Sequence, residues 1–202
     1  MPRVAGQIDE AKTEAILDAA TEVLAERGVS ASMEELARRA GVSKQTLYNR
    51  YGCKAEIVRA LVERRVNLIV APLEAAEALE HPQESLAAFA RSMLTHLANP
   101  ATSAMMRAYI LGAADTPDLG RAVFEAGPET SRTRLAEFLQ AEAEAGRMQV
   151  PDPVQAAEFF AGMVIGGHQT AGLLGGDRGL TPERIAAIAD EAAARFMRAY
   201  GS

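Results

Sequence analysis

Apolar residues recur along this chain at helical spacing almost throughout. From Asp9 to Arg27, the residues Ile16, Ala20, Val23 and Leu24 fall at i, i+4, i+7 and i+8, which lays one apolar stripe along a first helix. Gly28 ends it. A glycine just past the last turn takes the left-handed conformation without steric penalty, and Val29 then falls where it would contact Leu24. Ser32 followed by Glu35 is a capping box, which opens a second helix of about two turns with Met33, Leu36, Ala37 and Ala40 turned inward. Gly41 and Val42 close that helix, and Ser43 caps a third, Lys44 to about Tyr51, anchored by Leu47. Two short helices joined by a short glycine-containing turn make a helix-turn-helix. The small Ala37 lets the two helices cross closely, while Val42 and Leu47 close their miniature core.

A fourth, long helix is expected from about Lys54 to Leu79, with Pro72 inside it as a kink. Further helical patterns run from Gln83 to Ala98, Thr102 to Ala113, Asp118 to Ala145 with a break or kink at Gly127-Pro128, Pro153 to Leu174, and Pro182 to Tyr200. Asn99-Pro100, Asp115-Thr116-Pro117, Gly146 to Pro153 and Gly175 to Pro182 are the punctuation between them. Runs of β-branched residues are absent and aromatics make up only 5%. The expected fold is therefore all-α with about nine helices: an N-terminal three-helix unit containing the helix-turn-helix, then a larger helical domain.

Composition bounds the class. The 202 residues are 49% apolar and 24% charged, enough for one or two compact domains. A formal charge of -6 argues against a protein that coats nucleic acid, but the charge is unevenly placed. Through Val66 there are 11 basic against 10 acidic side chains, and the remainder carries a net charge of -7. Between Leu36 and Ala55 the chain holds Arg38, Arg39, Lys44, Arg50 and Lys54 and no acid, so the helix-turn-helix is a local basic patch. The single cysteine, Cys53, excludes an internal disulfide and fits a reducing compartment. No signal-peptide core and no stretch of roughly 20 apolar residues is present. The expectation is a soluble cytoplasmic protein with no membrane partner.

Little points to catalysis. His81, His96 and His168 are far apart and lack partners at metal-ligand spacing, so no metal is expected. No phosphate-loop pattern occurs, and the glycines between Gly166 and Gly179 do not follow a strand. No cofactor and no enzymatic activity are expected.

Thr13 to Arg65 carries the series Leu36-Ala37, Ala40-Gly41-Val42-Ser43, Thr46-Leu47-Tyr48, Tyr51-Gly52 and Lys54. This stretch resembles the DNA-binding domain of the TetR family of bacterial transcriptional regulators. Pro117 to Pro153 resembles the ligand-binding region of the subgroup named for the AefR regulator. One departure is Cys53, where family members usually place a small polar cap; a thiol caps poorly, leaving the start of the fourth helix to Gly52 and Lys54. The resemblance implies a DNA-binding domain over residues 1–53 and an effector-binding and dimerisation domain over 54–202. It further implies a homodimeric, ligand-responsive regulator, most simply a repressor, whose partners are a double-stranded operator and a small molecule. A DNA-binding regulator or architectural protein without an effector remains the alternative.

In such a motif the third helix enters the major groove and the second approaches the backbone. Lys44, Gln45 and Asn49 are then the candidates for base reading, and Thr46 offers a hydroxyl or a methyl. Ser43, Tyr48 and Lys54 resemble the family's phosphate-contacting positions, and Arg39 adds another. For the effector, Phe89, Met93, Met106, Tyr109, Phe138, Phe159 and Met163 are expected to line an apolar cavity, with His96, Tyr109 and His168 as polar contacts. A small, largely apolar or aromatic ligand follows. For the dimer, Ile185, Ile188, Ala189, Ala192 and Phe196 form an apolar stripe on the last helix, and Gly166, Gly167 and Ala171 permit close approach on the one before it. In family members these two helices commonly form a four-helix bundle across the two-fold axis.

Overall fold

The computed structural model describes residues 5–75, 78, 80–177 and 179–202, with side chains from residue 11 onward. Most of the described residues are helical, and no strand occurs among them. In order, the helices are α1 (Ala5–Arg27), α2 (Met33–Arg39), α3 (Lys44–Tyr51), α4 (Lys54–Glu74), α5 (Pro82–Ala98) and α6 (Pro100–Asp115). They are followed by α7 (Pro117–Phe124), α8 (Thr130–Glu144), α9 (Pro153–Ile165), α10 (His168–Leu173) and α11 (Pro182–Tyr200). The fold is all-α, as the periodicity predicts. Leu79, the expected end of α4, lies outside the described residues.

Two compact units divide the chain: one runs to Glu63 and includes Ala104–Ala126, and the other holds Arg64–Ser103 and Gly127–Ser202. Helix α4 thus contributes to both.

In the first unit, the stripe of α1 (Ile16, Ala20, Val23, Leu24) packs with Leu36 and Ala37 of α2, Leu47 of α3 and Ile57 and Val58 of α4. Tyr109, Leu119 and Val123 join the same core. Gly28 adopts a positive φ of 63°, and Val29 packs against this core as the glycine-stop pattern predicts. The capping box forms in full: Ser32 Oγ accepts from the Glu35 amide at 3.2 Å, and Glu35 Oε2 accepts from the Ser32 amide at 2.9 Å. Between α2 and α3, Gly41 takes a φ of 65° and the Val42 amide donates back to Ala37 O at 3.0 Å, which fixes the turn. Ser43 Oγ then accepts from the Thr46 amide at 3.0 Å and starts α3.

In the second unit, α11 packs chiefly on α5 and α9 on α8. An aromatic ladder crosses this core: Phe89 and Phe160 centroids are 6.3 Å apart, Phe160 and Phe196 meet edge-on at 5.1 Å, and Phe196 and Tyr200 lie at 4.6 Å. The chain end is tied back, with Gln149 N donating to Tyr200 O at 2.6 Å.

Two details refine the sequence pattern. At Gly127-Pro128, the expected break or kink, the α-helix is interrupted by a π-helical turn over Glu125–Glu129 that joins α7 to α8. Proline lacks the N–H that the ladder would use, and the wider turn absorbs that loss. The expected helix from Pro153 to Leu174 is two helices, because Gly166 ends α9 with a φ of 47° and ψ of -132°.

Candidate nucleic-acid interface

Helix α3 is held from one side and open on the other. Leu47 is fully buried and Tyr51 partly so, while Lys44, Gln45, Tyr48 and Asn49 are exposed and Thr46 is half-buried. The helical spacing explains this division: Gln45 and Asn49 fall opposite Leu47, while Lys44 and Tyr48 share a neighbouring flank of the helix. No acidic residue lies on α3.

The exposed polar groups engage one another. Lys44 Nζ donates to the Glu34 carboxylate of α2 and sits 5.9 Å from the Tyr48 ring centroid. That hydrogen bond holds the Glu34 carboxyl below the usual carboxylate range and raises the Lys44 ammonium above its own. Gln45 Nε2 donates to Asn49 Oδ1 at 2.6 Å, and the Ser43 and Thr46 hydroxyls are 2.7 Å apart. Arg39, exposed at the end of α2, forks onto Glu26 Oε2 at 2.8 Å and Glu22 Oε2 at 3.0 Å of α1. Arg39 therefore has to exchange these carboxylates to reach a phosphate.

Lys54 is placed differently from the expectation. Its ammonium turns inward and donates to Val29 O and, at 3.0 Å, to Ala31 O, bracing the segment between α1 and α2. Two carbonyls of that turn accept from the ammonium, so Lys54 acts here as a brace. Glu34, which sequence periodicity assigns only to the first turn of α2, is the residue that reasoning from sequence missed.

The effector residues are dispersed. Phe89, Met93 and Phe138 are buried in the second unit, whereas Met106 and Tyr109 pack into the core of the first. Phe159 and Met163 are 55% and 44% exposed on the outer face of α9, not enclosed in the core of the second unit. Their neighbour Phe160 is the buried one. His96 is half-buried, with Nδ1 3.3 Å from Thr102 Oγ1 and 3.4 Å from an Arg65 nitrogen. Burial, then the Arg65 charge, push its imidazole down to about 4. His168 is half-buried at the start of α10.

The residues expected at a dimer contact divide in the same way. Ile185, Ala189, Ala192 and Phe196 are buried within the protomer, because α11 turns this stripe onto α5. Within the protomer this stripe is therefore already covered by α5. Ile188 and Ala171 are half-buried, and Gly166 and Gly167 are exposed.

Among the described residues, no group of three or more His, Cys, Asp or Glu is arranged to hold a metal ion, and no helix is long and apolar enough to cross a membrane.

Residues 84–202 match the AefR-like transcriptional repressor C-terminal domain, and residues 16–61 match the bacterial regulatory proteins of the tetR family. Over 56 residues the chain is 45% identical to the HTH-type transcriptional activator FasR of Mycolicibacterium smegmatis. That match spans 27% of this chain and 26% of FasR, about a quarter of the relative's length. A protein of Mesorhizobium loti MAFF303099 assigned to the TetR-family transcriptional regulators has a crystal structure similar over 96% of this chain and 98% of its own, at a TM-score of 0.78 and 26% identity. The flavonoid-responsive regulator FrrA matches over 95% of this chain and 98% of its own, at a TM-score of 0.72 and 29% identity. With family matches over both the helix-turn-helix and more than half of the chain beyond it, the protein belongs to the TetR family of bacterial transcriptional regulators.

Proposed function

We propose that this chain is a homodimeric repressor that binds a palindromic operator through α2 and α3 and is released by a small, largely apolar or aromatic effector. The observation that carries the DNA-binding part is the exposed, acid-free surface of α3, where Gln45 and Asn49 stand opposite the buried Leu47 and Lys44 and Tyr48 flank them. Lysine can donate to guanine acceptors, and glutamine and asparagine can bond adenine bidentately. One such module reads only a half-site, so a palindrome requires a two-fold protein.

Repression is favoured by the AefR-like repressor match over residues 84–202, since the FasR similarity covers only a segment of the chain. An apolar effector is favoured by the aromatic and methionine side chains of the second unit, among which Phe89, Met93, His96 and Phe138 remain candidates for contact. The similarity to a flavonoid-responsive regulator points the same way. Because α4 runs from one compact unit into the other, an effector that prefers one position of α4 would alter the recognition helices. A coupling of roughly 1 to 3 kcal/mol is enough to change DNA affinity about 5- to 150-fold.

The test is to sequence the genomic DNA retained by the purified protein. A palindromic site bound with a steep, linear loss of log affinity against log salt is expected. Indifference between genomic and random duplex would reject the reading. A screen in which no aromatic compound shifts operator affinity would leave a regulator without an effector.

A further inference from the structure

Glu34 stands where a DNA-binding surface has least use for a carboxylate. It occupies the first turn of α2, and the chain from Leu36 to Ala55 carries five basic residues and no acid. Its carboxylate nevertheless reaches the start of α3 and takes a hydrogen bond from Lys44 Nζ. Both side chains are exposed, and an exposed lysine–carboxylate pair adds little to the stability of a fold. Stability is therefore a poor explanation for the pair.

Its geometric effect is larger. Lysine is a flexible stem ending in three donors. With one donor on Glu34 and the Tyr48 ring 5.9 Å away on its own helix, the ammonium is confined to one side of α3 with two donors to offer. A lysine on such a surface has two uses in DNA: base-edge acceptors, which carry sequence information, and phosphate oxygens, which do not. Phosphates are present in every duplex whatever its sequence, and contacts to them supply essentially all non-specific affinity.

We propose that Glu34 is a positioning and specificity-determining residue for DNA binding: paired with Lys44, it keeps the ammonium directed at guanine acceptors and withholds it from the phosphates of unrelated duplex. This rests on the assignment of α3 as the recognition helix. The acidic partner thereby lowers affinity for the excess of non-operator DNA and preserves the contact that distinguishes the operator. Glu34 need not touch DNA to do so.

The experiment uses the full chain and four forms of it: wild type, Glu34→Gln, Lys44→Ala and the double variant. Each is titrated with the operator recovered by genomic selection and with random duplex of equal length, from about 50 to about 200 mM salt. Glu34→Gln is expected to bind random duplex roughly threefold more tightly at low salt, with a slope of log affinity against log salt steeper by about 0.9, one phosphate contact. Operator affinity does not rise, so the ratio of operator to random affinity falls at least threefold. In the Lys44→Ala background the same substitution leaves the slope unchanged.

Equal gains on both duplexes would overturn the proposal, as would a steeper slope that persists without Lys44, which would mean simple repulsion of phosphates by Glu34. If the wild type itself does not prefer the operator, the DNA-binding reading fails and this one with it. If the wild type is selective and Glu34→Gln is equally so, the positioning role alone fails. Thermal melting of each form, expected at wild-type temperature, separates these results from a folding defect.

Discussion

A Cβ added to Gly112 of α6 would lie 2.5 Å from Val29 Cγ2 and 3.1 Å from Leu119 Cδ2. Val29 is the residue that the Gly28 turn delivers onto the core after α1, so α6 approaches that turn only because position 112 has no side chain. Gly112→Ala gains about 1 kcal/mol of helix propensity. It must also displace a β-branched side chain that has little rotamer freedom, and overpacking of this kind costs typically 1–3 kcal/mol. A net loss of about 1 kcal/mol is expected by denaturant titration. Val29→Ala in the same chain should recover part of it, a non-additivity of neighbours that share one gap.

The cap of α2 gives a second, local test. Ser32 satisfies the Glu35 amide at 3.2 Å, and removing a serine cap costs typically about 1 kcal/mol. Ser32→Ala should lower stability by that amount and Ser32→Asp should not. Equal stabilities of wild type and alanine variant would mean that tertiary packing alone holds α2.

These two sites mark how far sequence carries. Capping boxes, glycine stops and the Leu36–Leu47 core are local patterns, and the structure reproduces them at the same residues. Helix α9 is different. Its sequence, PVQAAEFFAGMVI, is apolar on nearly every side, so periodicity does not say which of Phe159 and Phe160 faces inward. The pattern Phe159 and Met163 at i, i+4 is as regular as Phe160 and Val164, yet the second pair is the buried one, with Phe160 against Phe89 of α5 and Phe196 of α11. Partners distant in sequence were equally out of reach: nothing local tells that Lys54 binds the carbonyls of Val29 and Ala31, or that Lys44 binds Glu34.

In the second unit, Glu142 is completely buried, and its carboxylate oxygens accept from Arg147 at 2.8 and 3.2 Å. Only the Glu142 end is enclosed, since the Arg147 side chain is 38% exposed, but removing Arg147 still leaves an enclosed carboxylate without this donor, which costs more than losing a pair exposed at both ends. Arg147→Met should lower the melting temperature by several degrees, whereas Arg195→Met, which loses only the exposed contact to Glu191, should leave it within error.

His96 makes stability depend on pH. Its folded value of about 4 lies below the ordinary 6.5, first through burial and then through Arg65. The unfolded chain therefore binds a proton that the folded chain refuses. The sign is that stability from this group is fully present above pH 6.5 and declines as pH falls toward 4. The whole difference amounts to about 3 kcal/mol at most. In His96→Gln the fall of stability between these pH values should be smaller than in wild type, and identical slopes would show that the imidazole is not held neutral.

The outer face of α9 bears on the dimer. Val154, Phe159 and Met163 are 65%, 55% and 44% exposed, and the exposed Gly162 and Gly166 each lie three residues on from Phe159 and Met163. Large apolar side chains gathered around bare backbone suit close approach of another helix better than contact with water. The buried stripe of α11 is already used on α5, so α9 is the stronger candidate for the two-fold contact. At a two-fold axis each substitution acts twice, because the same patch faces itself. Phe159→Glu with Met163→Glu is therefore expected to shift the protein from dimer to monomer by light scattering at micromolar concentration, while far-ultraviolet circular dichroism stays unchanged. The operator affinity of such a monomer should drop steeply, since each half-site is then bound alone. A wild-type protein that is monomeric at that concentration, or a double variant that remains dimeric, would remove α9 from the interface.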